Sequence, residues 1–157
     1  MLVERIFDTK IYKSLSETIP TIQNLHYVSR DKSSRQFKQF ESMKQKLSHI
    51  NGNLQRARNR KDKQTFSITL DELWKVGEKQ QWRCALTGVP LEFTRGGSEW
   101  RGRVCNRRSC SLDRIDSSKG YVPGNIQLVT WEVNCIKTDM DNKEFIELCK
   151  QVAKTHK

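Results

Sequence analysis

The chain has 157 residues, 35% of them hydrophobic, which suffices for one modest domain with an appendage and excludes several large cores. Twenty-nine Lys and Arg against 18 Asp and Glu give a formal charge of +11, a field that favours a polyanionic partner, nucleic acid ahead of a membrane surface. No apolar run of about eighteen residues exists, and Glu4, Arg5 and Asp8 fall where a signal peptide needs its apolar stretch, so a membrane span and export are not expected and a cytoplasmic setting is.

In chain order, the charge comes first. Between Arg30 and Lys63 stand eleven Lys or Arg and three acids, most of the net charge. Phe37, Phe40, Leu47 and Ile50 recur at helical spacing within it, and the pattern predicts an amphipathic helix of about four turns, capped by Ser34 and ended by Gly52. The following NLQRARNRKDKQ, with Arg56, Arg58, Arg60 and Lys61, has few apolar anchors and reads as a basic helical extension or linker lying along phosphates.

Thr69 and Glu72 are spaced as a capping box ahead of Leu70, Leu73, Trp74 and Val76, which predicts a second helix. Cys84 to Phe93 is an apolar run punctuated by Gly88 and Pro90, a turn between short strands. Thr94 to Ser109 reads as a flexible cationic loop, because Arg95, Arg101, Arg103, Arg107 and Arg108 face Glu99 alone among three glycines. The five cysteines (Cys84, Cys105, Cys110, Cys135 and Cys149) are an odd number in a chain without a secretion signal, so reduced thiols are expected, with Cys135 and Cys149 in the core.

The central stretch is SLDRIDSSKGYVPGNIQLVTWEVNCIK, Ser111 to Lys137. It predicts a strand from Ser111 to Asp116, a turn-rich loop to Gly124 and a second strand from Asn125 to Val129. A helix capped by Thr130 follows, with Val133, Ile136 and Met140 as its apolar stripe. Asn134 and Lys137 share another face, which aims Asn134 across the hairpin at Asp113. A carboxylate and an amide oxygen with open water positions suit Mg²⁺ (or Mn²⁺) better than Zn²⁺. The last helix opens on a capping box of Asp141 and Glu144 and is expected to bury Phe145, Leu148, Cys149 and Val152.

Cys84-Ala-Leu-Thr-Gly, Ser-Leu-Asp-Arg-Ile-Asp, Gly-Tyr, Gly-Asn-Ile-Gln-Leu-Val and Asn-xx-Lys resemble an HNH-type (His-Me finger, ββα-metal) endonuclease over about residues 66 to 150, in particular phage-type members with DRID in place of Asp-His or His-His. The nine-residue step from Asn125 to Asn134 is the most specific element of the likeness. The resemblance implies an α+β fold: a ββα-metal (HNH-like) core with flanking helices and a basic helical N-terminal arm. It divides the chain into a nucleic-acid-binding arm at 1–64 and a nuclease domain at 65–157 that cuts or nicks DNA with one divalent ion. Asp113 and Asn134 correspond to the metal ligands and Asn125 to the residue that braces the loop. Arg114 falls at the general-base His. In a phage-encoded protein the setting is the host cytoplasm.

Arg114 departs from that pattern chemically, because a guanidinium does not accept a proton from water. The three histidines, His26, His49 and His156, all lie outside the central stretch. The attacking water can then be activated by the ion, by Asp116 as base or further ligand, or by Tyr121 as phenolate, with Arg114 contacting the scissile phosphate; the first route is preferred. Arg101, Arg103, Arg107, Arg108, Lys119 and Lys137 are expected to join Arg56, Arg58, Arg60 and Lys61 on DNA. A structural zinc is not expected, since of the family's two Cys pairs only Cys84 has a counterpart; an irregular site of Cys84, Cys105 and Cys110 is the lesser reading. A homodimer is compatible with the pattern and not required by it. The alternative is an inactive nucleic-acid-binding protein on the same scaffold.

Overall fold

The computed structural model describes residues 33, 35–60, 65–94, 98–100 and 103–156, with the backbone alone at 36, 98–100 and 103–105. It is a mixed helix and sheet protein made of two compact units, Met1–Leu47 and Ser48–Lys157. The division falls inside the first helix.

Helix α1 (Arg35–Arg58) does not stop at Gly52. Its buried stripe of Phe40, Leu47, Ile50, Leu54 and Ala57 continues past the glycine, and the burial of Leu54 and Ala57 outweighs the roughly 1 kcal/mol that a glycine costs inside a helix. The segment NLQRAR therefore carries apolar anchors after all. Ser34, the expected cap, lies outside the described residues.

In the second unit, α2 (Leu70–Lys79) opens on the Thr69/Glu72 capping box: Thr69 Oγ1 accepts from the Glu72 amide at 3.2 Å, and Glu72 accepts from the Thr69 amide at 2.7 Å. It buries Leu73, Trp74 and Gly77. Gly77 is required there, because a Cβ would stand 2.3 Å from the Trp82 ring, which packs edge-on between Trp74 and Phe93. Trp82 and Phe93 are half-buried. The expected cationic loop contains a hairpin of β1 (Ser98–Trp100) and β2 (Arg103–Cys105), strands too short to leave an alternation signal.

The central sheet pairs β3 (Cys110–Arg114) antiparallel with β4 (Ile126–Thr130), in a register that sets Asp113 opposite Gln127 and Ser111 opposite Val129. All five residues of β4 are buried. Its outer edge is closed by Gln80, whose side-chain amide accepts from Leu128 N at 2.9 Å and donates to Leu128 O at 2.7 Å. Thr130 then caps α3 (Trp131–Lys137), which packs on both strands.

Helix α4 (Asn142–Thr155) has the expected Asp141/Glu144 capping box but not the expected buried stripe. Phe145 is its buried residue, whereas Leu148 is 46% and Val152 55% exposed and Cys149 is exposed too. The anchoring contacts lie in its first turn, where Asn142 and Gln127 exchange two side-chain hydrogen bonds. Ile136 on α3 is likewise exposed, against expectation, and Cys135 is only half-buried. No helix among the described residues is long and apolar enough to cross a membrane.

Candidate active-site cleft

A cleft of about 730 Å³ in the second unit is walled by the end of α1, the start of β3 and the first turns of α3. Of the residues that the sequence singles out, Asp113, Arg114, Tyr121, Asn134, Arg56 and Arg60 line it together. Side-chain alternation explains part of that gathering, because Ser111 and Asp113, two apart on β3, share a face that α3 crosses. Asn134 Nδ2 donates to Ser111 Oγ at 2.7 Å, while its Oδ1 has no donor among the described residues.

Asp113 is buried and held from two sides. Gln127 Nε2 donates to Oδ2 at 2.8 Å, and Lys137 Nζ lies 3.3 Å from Oδ2 and 3.4 Å from Oδ1. Lys137 also donates to the Arg114 carbonyl at 2.8 Å. Its exposure is zero, so Lys137, expected on DNA, lies inside the protein. The i, i+3 spacing puts Lys137 beside Asn134 but says nothing of depth, and the carboxylate beneath the helix draws its ammonium inward.

Arg114, 9% exposed, has an Nη1 with no hydrogen-bond partner among the described residues. Its guanidinium lies 5.3 Å from the Tyr121 ring centre, and Arg60 approaches the same ring at 5.9 Å. Phe66 packs beside Tyr121 at 6.2 Å and carries Arg58 at 5.1 Å. Two rings thus organise three arginines. Arg56 bonds to Asn53. Among the charged residues lining the cleft, Arg56, Arg60 and Arg114 face Asp113 and Asp139, so the cleft is net cationic.

Asn125 holds the loop beneath this site. Its Oδ1 accepts from Asp116 N at 3.0 Å, and its Nδ2 donates to Asp116 O at 3.0 Å and Gly120 O at 2.9 Å. Gly120 has no room for a side chain, since a Cβ would meet Thr65 O at 2.0 Å. Asp116 itself does not line the cleft. Hydrogen bonds from the Ser118 hydroxyl and from Lys119, with the Ser118 amide, hold its carboxyl down to about 2. The carboxyl of Asp116, expected as base or further ligand, is engaged with the turn at Ser118 and Lys119.

Of the remaining expected DNA contacts, Arg107 is ion-paired with Glu132, Lys119 with Asp116, and Arg108 is exposed away from the cleft lining. Lys61 and Arg101 lie outside the described residues, as does the side chain of Arg103.

Sequence reasoning missed His49 and Asn53. From α1, His49 Nε2 and Asn53 Nδ2 both bond to Cys110 O, at 2.8 and 2.9 Å, joining residues 61 and 57 positions apart. A carbonyl only accepts, so Nε2 is the protonated nitrogen. The signal was a polar i, i+4 pair set beside Ile50 and Leu54 in an otherwise apolar stripe. Burial pushes the neighbouring Cys110 thiol up to about 12, helped by Cys84.

The cleft lining holds two oxygen donors of the kind a hard cation takes, the Asp113 carboxylate, both of whose oxygens already have protein partners, and the Asn134 amide oxygen. Among the described residues no three His, Cys, Asp or Glu converge. The Lys137 ammonium on Asp113 and the net positive lining both oppose a cation there. No protein-family model, curated protein or solved structure matches this chain.

Proposed function

We propose that the chain is a divalent-metal-dependent endonuclease that hydrolyses DNA phosphodiester bonds in this cleft, on a ββα-metal core of the HNH type. The observation that carries the reading is Arg114: a guanidinium nine-tenths buried, with an unsatisfied Nη1, on the wall that also holds Asp113 and Asn134. A buried unpaired N–H costs about 1–3 kcal/mol, and an anionic phosphate oxygen relieves it. The β3–β4–α3 order and the Asn125 brace support the family likeness.

Arg114 and Arg60 receive the phosphate, and Arg56 extends the track along the strand. Asp113 and Asn134 would hold the cation, which when bound would supply Lewis acidity to the attacking water and charge neutralisation at phosphorus. Arg114 stabilises the charge that grows on the phosphate oxygens and takes no proton.

Incubation of supercoiled plasmid with Mg²⁺ or Mn²⁺, against chelator, tests the reading: metal-dependent nicking is expected. The second reading, a nucleic-acid-binding protein without activity, is favoured by the Lys137 charge on Asp113 and by Arg114 at the base position. It predicts binding in all conditions and cutting in none.

A further inference from the structure

We infer that Arg114 and Arg60, both set on the ring of Tyr121, form a clamp for one phosphate group that closes without a metal ion, with Tyr121 as the residue that positions it. This rests on the proposed arrival of phosphate in the cleft and not on hydrolysis.

Arg114 has the strongest need of a ligand. Its side chain is 9% exposed, its Nη1 has no partner among the described residues, and it lines the cleft. The neighbouring carboxylate of Asp113 does not serve it, since Gln127 and Lys137 hold both of those oxygens. No carboxylate among the described residues forms an ion pair with Arg114 or with Arg60. With Asp113 compensated from within, the charge that an entering anion meets first is that of the two guanidiniums.

One ring brings these like charges together. Arg114 Cζ lies 5.3 Å and Arg60 Cζ 5.9 Å from the centre of the Tyr121 ring. Their mutual repulsion is relieved by an oxyanion that accepts from both, and the planar fork of a guanidinium matches the oxygens of a phosphate. The place of the ring is set by the backbone around it. Tyr121 is bridged to Phe66, its carbonyl accepts from Ser67 N at 3.0 Å, Gly120 lies tight against Thr65, and the Phe66 ring packs at 6.2 Å. Tyr121 is 5% exposed, so the ring has little freedom to move away. The Asn125 brace of the same loop thus reaches the arginines through Tyr121, which acts by its ring and not as a phenolate.

The test is a phosphorus NMR titration of inorganic phosphate with the full chain, in EDTA and in Mg²⁺. Saturable binding is expected in both, with affinities within about twofold of each other, because no metal takes part. Arg60→Ala should weaken binding about tenfold and Tyr121→Leu by a similar factor, while Tyr121→Phe, which keeps the ring, should bind as the wild type does. The double variant of Arg60→Ala and Tyr121→Leu should be little weaker than either alone, since ring and guanidinium act as a unit. Binding that requires Mg²⁺, that Arg60→Ala leaves unchanged, or that Tyr121→Phe loses overturns the inference, whether or not Tyr121→Leu folds. A short duplex added in EDTA should displace the phosphate, which makes a nucleic-acid backbone its source. A duplex that binds and leaves the phosphate in place makes free phosphate the ligand, and overturns the nuclease reading of the cleft while the clamp stands.

Discussion

Lys137 and Asp113 form an ion pair across the α3–β3 contact, Nζ to Oδ2 at 3.3 Å, in which the lysine has no exposed surface and the aspartate 5%. Pairs of this kind contribute little net stability, since desolvation offsets attraction, yet losing one partner strands the other. Asp113→Ala should thus cost about 3–5 kcal/mol of folding stability, and Lys137→Met a similar amount. The double variant should recover most of the loss, which denaturant unfolding of the four proteins measures as a coupling free energy. A consequence for enzymology is that inactivity of Asp113→Ala alone does not separate a lost ligand from a lost fold.

Asn125 makes three hydrogen bonds to the backbone of the loop from Asp116 to Gly120, at a site 6% exposed. Asn125→Ala leaves two carbonyls and an amide without their partner, a cost of about 3 kcal/mol. Asn125→Asp keeps the acceptor and sets a carboxylate against two carbonyls, so it should not rescue. Thermal unfolding decides; a change within about 0.5 kcal/mol, as expected of a neutral surface site, contradicts the brace.

Asp116 gives a pH signature. Its folded pKa lies near 2, below the usual carboxylate value, so its contribution is present above about pH 4 and lost as pH falls toward 2. Asp116→Asn should be less stable than the wild type at pH 6, and the difference should shrink as pH approaches 2. A difference unchanged across that window argues against the Ser118 and Lys119 contacts.

Thiol reactivity should separate the cysteines. Cys149 is exposed, while Cys110 is 2% exposed with its pKa raised to about 12. Native alkylation at pH 8, mapped by mass spectrometry, should modify Cys149 readily and leave Cys110 intact.

On the proposed reading, the DNA contacts divide by burial. Arg114→Ala should weaken duplex binding about tenfold or more and lower the salt slope by about one charge, since its guanidinium is proposed to meet phosphate and not bases. Lys119→Ala, removing an exposed partner of Asp116, should change binding little. Fluorescence anisotropy at several salt concentrations measures both.

What was legible in the sequence was local. The capping boxes at Thr69/Glu72 and Asp141/Glu144 and the Thr130 cap rest on residues three apart, and the hairpin on alternation and turn residues, so pattern suffices for them. The strand limits still moved: β3 ends at Arg114, not Asp116, because the Asp116 carboxyl caps the turn, and β4 begins at Ile126, because Asn125 is occupied by the loop.

What was not legible depended on distance along the chain. Gly52 stops a helix only where no packing follows, and Leu54 and Ala57 find burial. Leu148 and Val152 have the spacing of a core stripe, but α4 meets its neighbours through its first turn. Asp113, Arg114, Tyr121 and Asn134 could be gathered by sequence because they sit within one hairpin and its helix. His49 and Asn53 could not, since their bond to Cys110 spans about sixty residues.

The central claim is most directly met by the single-turnover rate of nicking of a supercoiled plasmid, with Mn²⁺ and with chelator, for the wild type and Asn134→Ala. Asn134 lines the cleft through a side chain whose one hydrogen bond among the described residues is to Ser111, so its removal should spare the fold. The account predicts nicking with Mn²⁺, none with chelator, and a rate at least about a hundredfold lower in Asn134→Ala at unchanged duplex affinity in chelator. Nicking that survives chelation, or an Asn134→Ala protein that cuts as fast as the wild type, would contradict it.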